Sequence, residues 1–119
     1  MDIFNNDFDR LNFEDFIWII YIGLALLSIF GDKLQKEFLI EADKAKEKES
    51  NNIFLFILVV TFFIYLYFFV RNLYDLEKAD SDVKELFSIK LLGSSFFIAG
   101  IICLIYFQSK QTNFVGTPL

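Results

Sequence analysis

The residues of this chain equipped for chemistry are few, and most of them carry hydroxyls. Ser28, Thr61, Tyr65 and Ser95 each fall inside an apolar, uncharged run. Hydroxyls in such runs bond from one helix to another, or line a polar path that apolar rings gate. These four therefore form a candidate polar path. The chain has no His and a single Cys, Cys103. A histidine-dependent triad, a His-ligated metal and a disulfide framework are excluded on that count. Cys103 has no neighbouring base and reads as a small packing residue. Asp7, Asp9, Glu14 and Asp15 cluster near the start, but not at the spacing of an EF-hand loop. There is no Gly-rich phosphate loop and no G-x-S-x-G. A net charge of −5 without a basic stripe argues against a nucleic-acid partner. The expectation is a protein with no cofactor, no metal and no catalytic residues.

A second set of residues is suited to packing. Ser95, Ala99 and Cys103 recur every four residues, with Gly93 and Gly100 on the adjoining arc. Ala25 and Ser28 belong to a similar row, Trp18, Tyr21, Ala25, Ser28 and Asp32, at steps of three and four. Thr61, Tyr65 and Asn72 share one face of a third stretch. Small residues let helix backbones approach closely where lipid supplies no hydrophobic drive for association. Gly93, Ser95, Ala99, Gly100, Cys103, Ala25 and Ser28 are the candidate interface, within the bundle or toward a partner.

The elements that position these residues are helices. The 119 residues are 55% hydrophobic and 19% aromatic, with a mean hydropathy of +0.47. A soluble domain of this length buries only about two-thirds of its chain surface, so this composition would leave large exposed apolar patches. The charges, moreover, are absent in blocks. Phe16 to Gly31 is uncharged for 16 residues, Ser50 to Val70 for 21, and Leu91 to Ser109 for 19. A membrane-spanning helix needs roughly 17–25 apolar residues. Phe13 and the stem of Lys33 lengthen the first block. The run from Ile53 to Val70 is apolar all round, unlike an amphipathic helix of a soluble bundle. The fold class is an all-α integral membrane protein of three spans, at 13–31, 53–70 and 91–107, in one domain.

The charged connectors also read as helical. Residues 32–50 carry interleaved Lys and acids. Leu34, Phe38, Ala42 and Ala45 lie on one face, which predicts a first helix continuing to about Lys48. Ser50, Asn51 and Asn52 then supply the turn. In 71–90, Leu73, Leu76, Ala79, Val83, Leu86 and Phe87 form a helical stripe broken at 79–82. Asp82 with Glu85 has the spacing of an N-cap and its capping-box acid. The second and third helices thus form a hairpin extending beyond the bilayer. Asn12 is the expected N-cap of the first helix, with Glu14 and Asp15 placed for its dipole. Residues 1–12 are acidic. Phe4, Phe8 and Leu11 give them the pattern of an interfacial helix, while their charge equally fits a solvated tail. Residues 108–119 read as an extended tail.

The acidic N-terminus and the lack of a small-x-small site argue against a cleaved signal peptide. Bases number 5 on one side of the membrane and 6 on the other, so the overall count hardly orients the chain. The first span has one base before it and five after, which favours the N-terminus outside and the C-terminus inside a cell membrane. Functionally, the sequence points to a small accessory or scaffold protein. It would act by helix packing with itself, as a homo-oligomer, or with a larger membrane partner. The alternative is a homo-oligomeric pore, holin-like or channel-like.

Overall fold

Apolar runs this long satisfy their backbone only as helices, and the computed structural model is helical throughout its ordered elements. It describes residues 4, 6–111 and 118. The helices are α1 (Asp7–Glu41), α2 (Lys44–Lys78) and α3 (Lys84–Lys110). All three are long and apolar enough to cross a membrane. At 1.5 Å per residue, α1 and α2 are each about 52 Å long, well beyond a hydrocarbon core of about 30 Å.

The helices begin and end where side chains cap them, and these places differ from several expected ones. α1 starts at Asp7, because the N-cap is Asn6, six residues before Asn12: its side chain accepts from the Asp9 amide at 2.9 Å. Phe8 and Leu11 thus belong to α1 itself and are exposed. α1 does not continue to Lys48. It stops at Glu41, with Ala42 in the left-handed region at φ 55° and its amide donating to Phe38. Asp43 then caps α2, accepting from the Ala45 amide at 3.0 Å. Ser50, Asn51 and Asn52, the expected turn, lie inside α2. Lys46 spans the connection, 2.8 Å from Glu37 and 3.1 Å from Glu41. Hydrogen bonds donated to those carboxylates, Glu37 first, hold its ammonium above the usual lysine range. The second break falls at 79–83, as the stripe predicts. α3 begins after Val83, however, and the Asp82 capping box does not form. α3 also carries through 108–110. The remainder of the expected tail, apart from Gln111 and Pro118, lies outside the described residues, as does most of the N-terminal segment before Asn6.

α2 is the centre of the fold. It packs against both α1 and α3, and among the described residues no Cα of α1 comes within 8 Å of α3. The molecule is correspondingly flat, 60 by 25 by 18 Å. Ile17, Leu24 and Ile64 form the α1–α2 core, with Ile57, Val60 and Phe68 packed around them. At one end of this pair the backbones approach closely at Gly31. A methyl placed there would meet the Phe54 ring at 3.1 and 3.2 Å. Ser50, fully buried, donates its hydroxyl to the Gly31 carbonyl at 3.0 Å. Gly31 thus supplies the close approach expected of small residues, at a position outside the expected interface set.

Gly31→Leu should separate α1 from α2, whereas Ser50→Ala should remove only one bond, about 1 kcal/mol. Denaturant titration of purified protein, followed by helix-sensitive circular dichroism, should show the larger loss for Gly31→Leu.

Candidate polar network and cleft

The polar side chains that the fold brings together lie where α1 begins, α2 ends and α3 begins. Arg10 and Glu14 are one turn apart on α1, and their guanidinium and carboxylate meet at 3.4 Å. On α2, Tyr67, Arg71 and Asp75 recur every four residues and so present one face. The two faces interlock. Arg71 donates to Glu14 Oε1 at 3.0 Å, and the Tyr67 hydroxyl donates to Glu14 Oε2 at 3.0 Å. Arg10 grips Asp75 with two parallel bonds of 2.9 and 3.0 Å. Forked guanidinium–carboxylate geometry of this kind is directional as well as strong.

α3 joins through an amide relay. The Asn72 carbonyl oxygen accepts from Arg71 Nη2 at 3.0 Å, and the Asn72 amide donates to the Ser94 hydroxyl. Asn72 and Ser94 are both buried. Lys90, one turn before Ser94, brings its ammonium to 3.9 Å from Asp75. The Arg71 guanidinium lies over the Phe68 ring at 4.7 Å. Phe4 and Phe13 stack beside Tyr67. One connected network therefore reaches all three helices.

Sequence reasoning did not find this network. Glu14, expected to serve the helix dipole, is 8% exposed and holds two arginines. The bases and acids of 71–90 interleave along the chain, a pattern that fits pairing within one helix. Asp75 pairs instead with Arg10, 65 residues away. The available signal was position: Glu14, Arg71 and Lys90 all sit at the edges of uncharged blocks, at the same end of the bundle.

Because α1 and α3 stay apart, a cleft opens between them over α2. Its charged end is a cavity of about 570 Å³ lined by Glu14, Arg71, Asn72, Lys90, Gly93 and Ser94, with aromatic walls. An adjoining cavity of about 370 Å³ is lined by Ala25, Ser28, Thr61, Gly100 and Leu104, among others, and by Pro118. Tyr21, Tyr65 and Phe97 line both.

The candidate residues divide accordingly. Ser28, Thr61 and Tyr65 converge on the cleft, as do Ala25, Gly93 and Gly100. Ser95 does not line it. The hydroxyls of Ser28, Thr61 and Ser95 donate within their own helices, to Leu24, Ile57 and Leu91. Ser94, Ile101 and Gln108 form the buried side of α3. At about 100° per residue, Ser95, Ala99 and Cys103 lie roughly 100° to 180° around the helix from Ser94. Ala99 and Cys103 are exposed. A Cβ at Gly93 or Gly100 would meet nothing within 4 Å, so neither glycine is a close approach inside the molecule. Gln108 holds the far end of α3, donating to the Asn51 carbonyl at 3.1 Å.

Removing one member of a buried ion pair leaves the other uncompensated, at about 3–5 kcal/mol. Glu14→Ala and Arg71→Ala should each destabilise by about 3 kcal/mol, and the double variant by clearly less than their sum. A double-mutant cycle on unfolding midpoints reads this directly. No known protein family, characterised protein or solved structure matches the chain.

Proposed function

We propose that the chain is a multi-pass protein of the cell membrane, with its N-terminus outside and its C-terminus inside. It acts without catalysis, by helix packing with itself or with a larger membrane partner. The observation that carries this reading is the outward face of α3. Ser95, Ala99 and Cys103 form a row of small residues turned away from α2, and Ala99 and Cys103 are exposed. The fold's own close approach is made elsewhere, at Gly31. A small-residue row that the chain does not use internally fits a backbone approach by another helix. The large apolar side chains support the membrane setting. Ile19, Ile22, Leu26, Phe63, Phe96 and Phe97 all stand more than 60% exposed, within segments long enough to span. In water these would form one extended sticky surface, whereas lipid tails solvate them.

The second reading is a homo-oligomeric pore. Its support is the convergence of Ser28, Thr61 and Tyr65 on one cleft. Against it, the Ser28 and Thr61 hydroxyls are occupied by backbone carbonyls, and Ser95 faces elsewhere.

Ser95→Leu combined with Ala99→Leu should weaken self-association or partner co-purification in mild detergent by roughly tenfold, about 1.4 kcal/mol, while leaving helicity unchanged. Unchanged oligomers and partners would remove the basis for the packing reading. In a Cys103→Ala background, Ser81→Cys should react with an impermeant maleimide on intact cells. Ala45→Cys should react only after permeabilisation. The reverse pattern would invert the topology, and labelling of both on intact cells would exclude three spans.

A further inference from the structure

Among the described residues the polar network does not balance its own charge. Arg10, Arg71 and Lys90 supply three cations, and Glu14 and Asp75 two anions. The two guanidiniums are occupied by Glu14, Asp75 and Asn72 at 2.9–3.4 Å. Lys90 is not held in this way: among the described residues its one ionic contact is the 3.9 Å approach to Asp75, and its side chain is 43% exposed. It lines the charged end of the cleft between α1 and α3. Beyond the aromatic waist the lining carries no charge: Leu24, Phe54, Leu58, Ile101 and Leu104 line it, with Ser28 and Thr61, whose hydroxyls donate to their own helices.

The charge of the cleft therefore changes along its length. From Lys90 to Leu104 the lining of α3 rises about 21 Å, and from Asn72 to Phe54 that of α2 about 27 Å, close to a hydrocarbon core of about 30 Å. A cation at one end, with an uncharged groove running beneath it, complements a molecule with an anionic head and a hydrocarbon chain. An apolar transmembrane helix laid in the same place would leave the surplus cation without a counter-charge.

We propose that the α1–α3 cleft binds an anionic phospholipid, its phosphate at Lys90 and an acyl chain along Tyr65, Phe97 and Gly100. The site rests on the membrane reading above but not on the outward face of α3, which lies on another side of that helix. Basic pockets between transmembrane helices hold anionic head groups by this complementarity, and with the N-terminus outside this one would open on the outer leaflet. Lys90 supplies the charge, the Asn72–Ser94 relay fixes the position of α3, and Gly100 keeps the groove free of side chain.

The test is lipid retention by the full chain. The protein is reconstituted in mixed phosphatidylcholine and phosphatidylglycerol, extracted gently, and weighed by native mass spectrometry. Phosphatidylglycerol should be retained in preference to phosphatidylcholine. Lys90→Gln should lower that preference about fivefold, the worth of one basic residue near an anionic surface. Lys84→Gln, on the same helix but outside the cleft, should leave it unchanged. Gly100→Leu, which has open space for its side chain, should abolish retention of either lipid with Lys90 intact. Equal retention of the two lipids would overturn the proposal. So would equal loss in Lys84→Gln and Lys90→Gln, or a lipid-free dimer that Gly100→Leu disrupts. Failure of the membrane reading itself would appear separately, as protein released from membranes by alkaline carbonate.

Discussion

The Glu14 carboxylate, held between Arg10, Tyr67 and Arg71, fixes the register of α1, and the shape of the molecule depends on that register. Among the described residues α1 meets no helix but α2, so its register is set at this interface alone, where the Arg10–Asp75 pair supports the same alignment. Apolar packing alone would tolerate one, because dispersion contacts such as those of Ile17, Leu24 and Ile64 are not directional. The polar contacts are directional, and they sit at both ends of each interface. Glu14–Arg71 and Ser50–Gly31 pin α1 to α2, while Asn72–Ser94 and Gln108–Asn51 pin α3 to α2. Between the pins the core is apolar, with a Tyr21–Tyr65 hydrogen bond beside it.

This arrangement accounts for where the charges are. A carboxylate and two guanidiniums in the middle of an apolar helix would carry a large desolvation cost. At the ends of the uncharged blocks the same groups are partly wetted, yet still buried enough for their bonds to set geometry. Arg10 is 25% exposed and Asp75 16%, between the fully buried and the fully solvated case. The price of a surplus cation is also lowest here, because Lys90 can turn toward solvent or a headgroup.

Three helices were legible from the absence of charge alone, because a long uncharged run has few other ways to satisfy its backbone. Their ends were less legible because capping residues are abundant in this chain. Asn6 and Asn12 both suit the start of α1, and Asp43 competes with Ser50, Asn51 and Asn52 for the start of α2. Tertiary contacts choose between them: Ser50 is needed at Gly31, which places it inside α2 and moves the turn to Ala42 and Asp43. The network was illegible for a related reason. Interleaved charge looks the same whether its partners lie one turn or 65 residues away. The block edges held the distinguishing sign, and there Arg71 and Lys90 bear on pairing as well as on topology.

The small residues show how far a periodic signal can go. Spacing by four identifies a face of α3, but not the neighbour that the face meets. Gly93 and Gly100 look like contact residues, and in most bundles a neighbouring helix would close on them. Here, among the described residues, α1 does not approach α3, and aromatic rings line the space between them. Trp18 and Tyr21 stack at 5.5 Å on the α1 side, and Tyr65 meets Phe97 at 5.2 Å between α2 and α3. Tyr21, Tyr65 and Phe97 form the waist common to both cavities, between α1 and α3. The glycines then widen a cleft rather than seal an interface. Large rings near the floor and absent side chains on one wall produce together a groove that neither residue class implies alone.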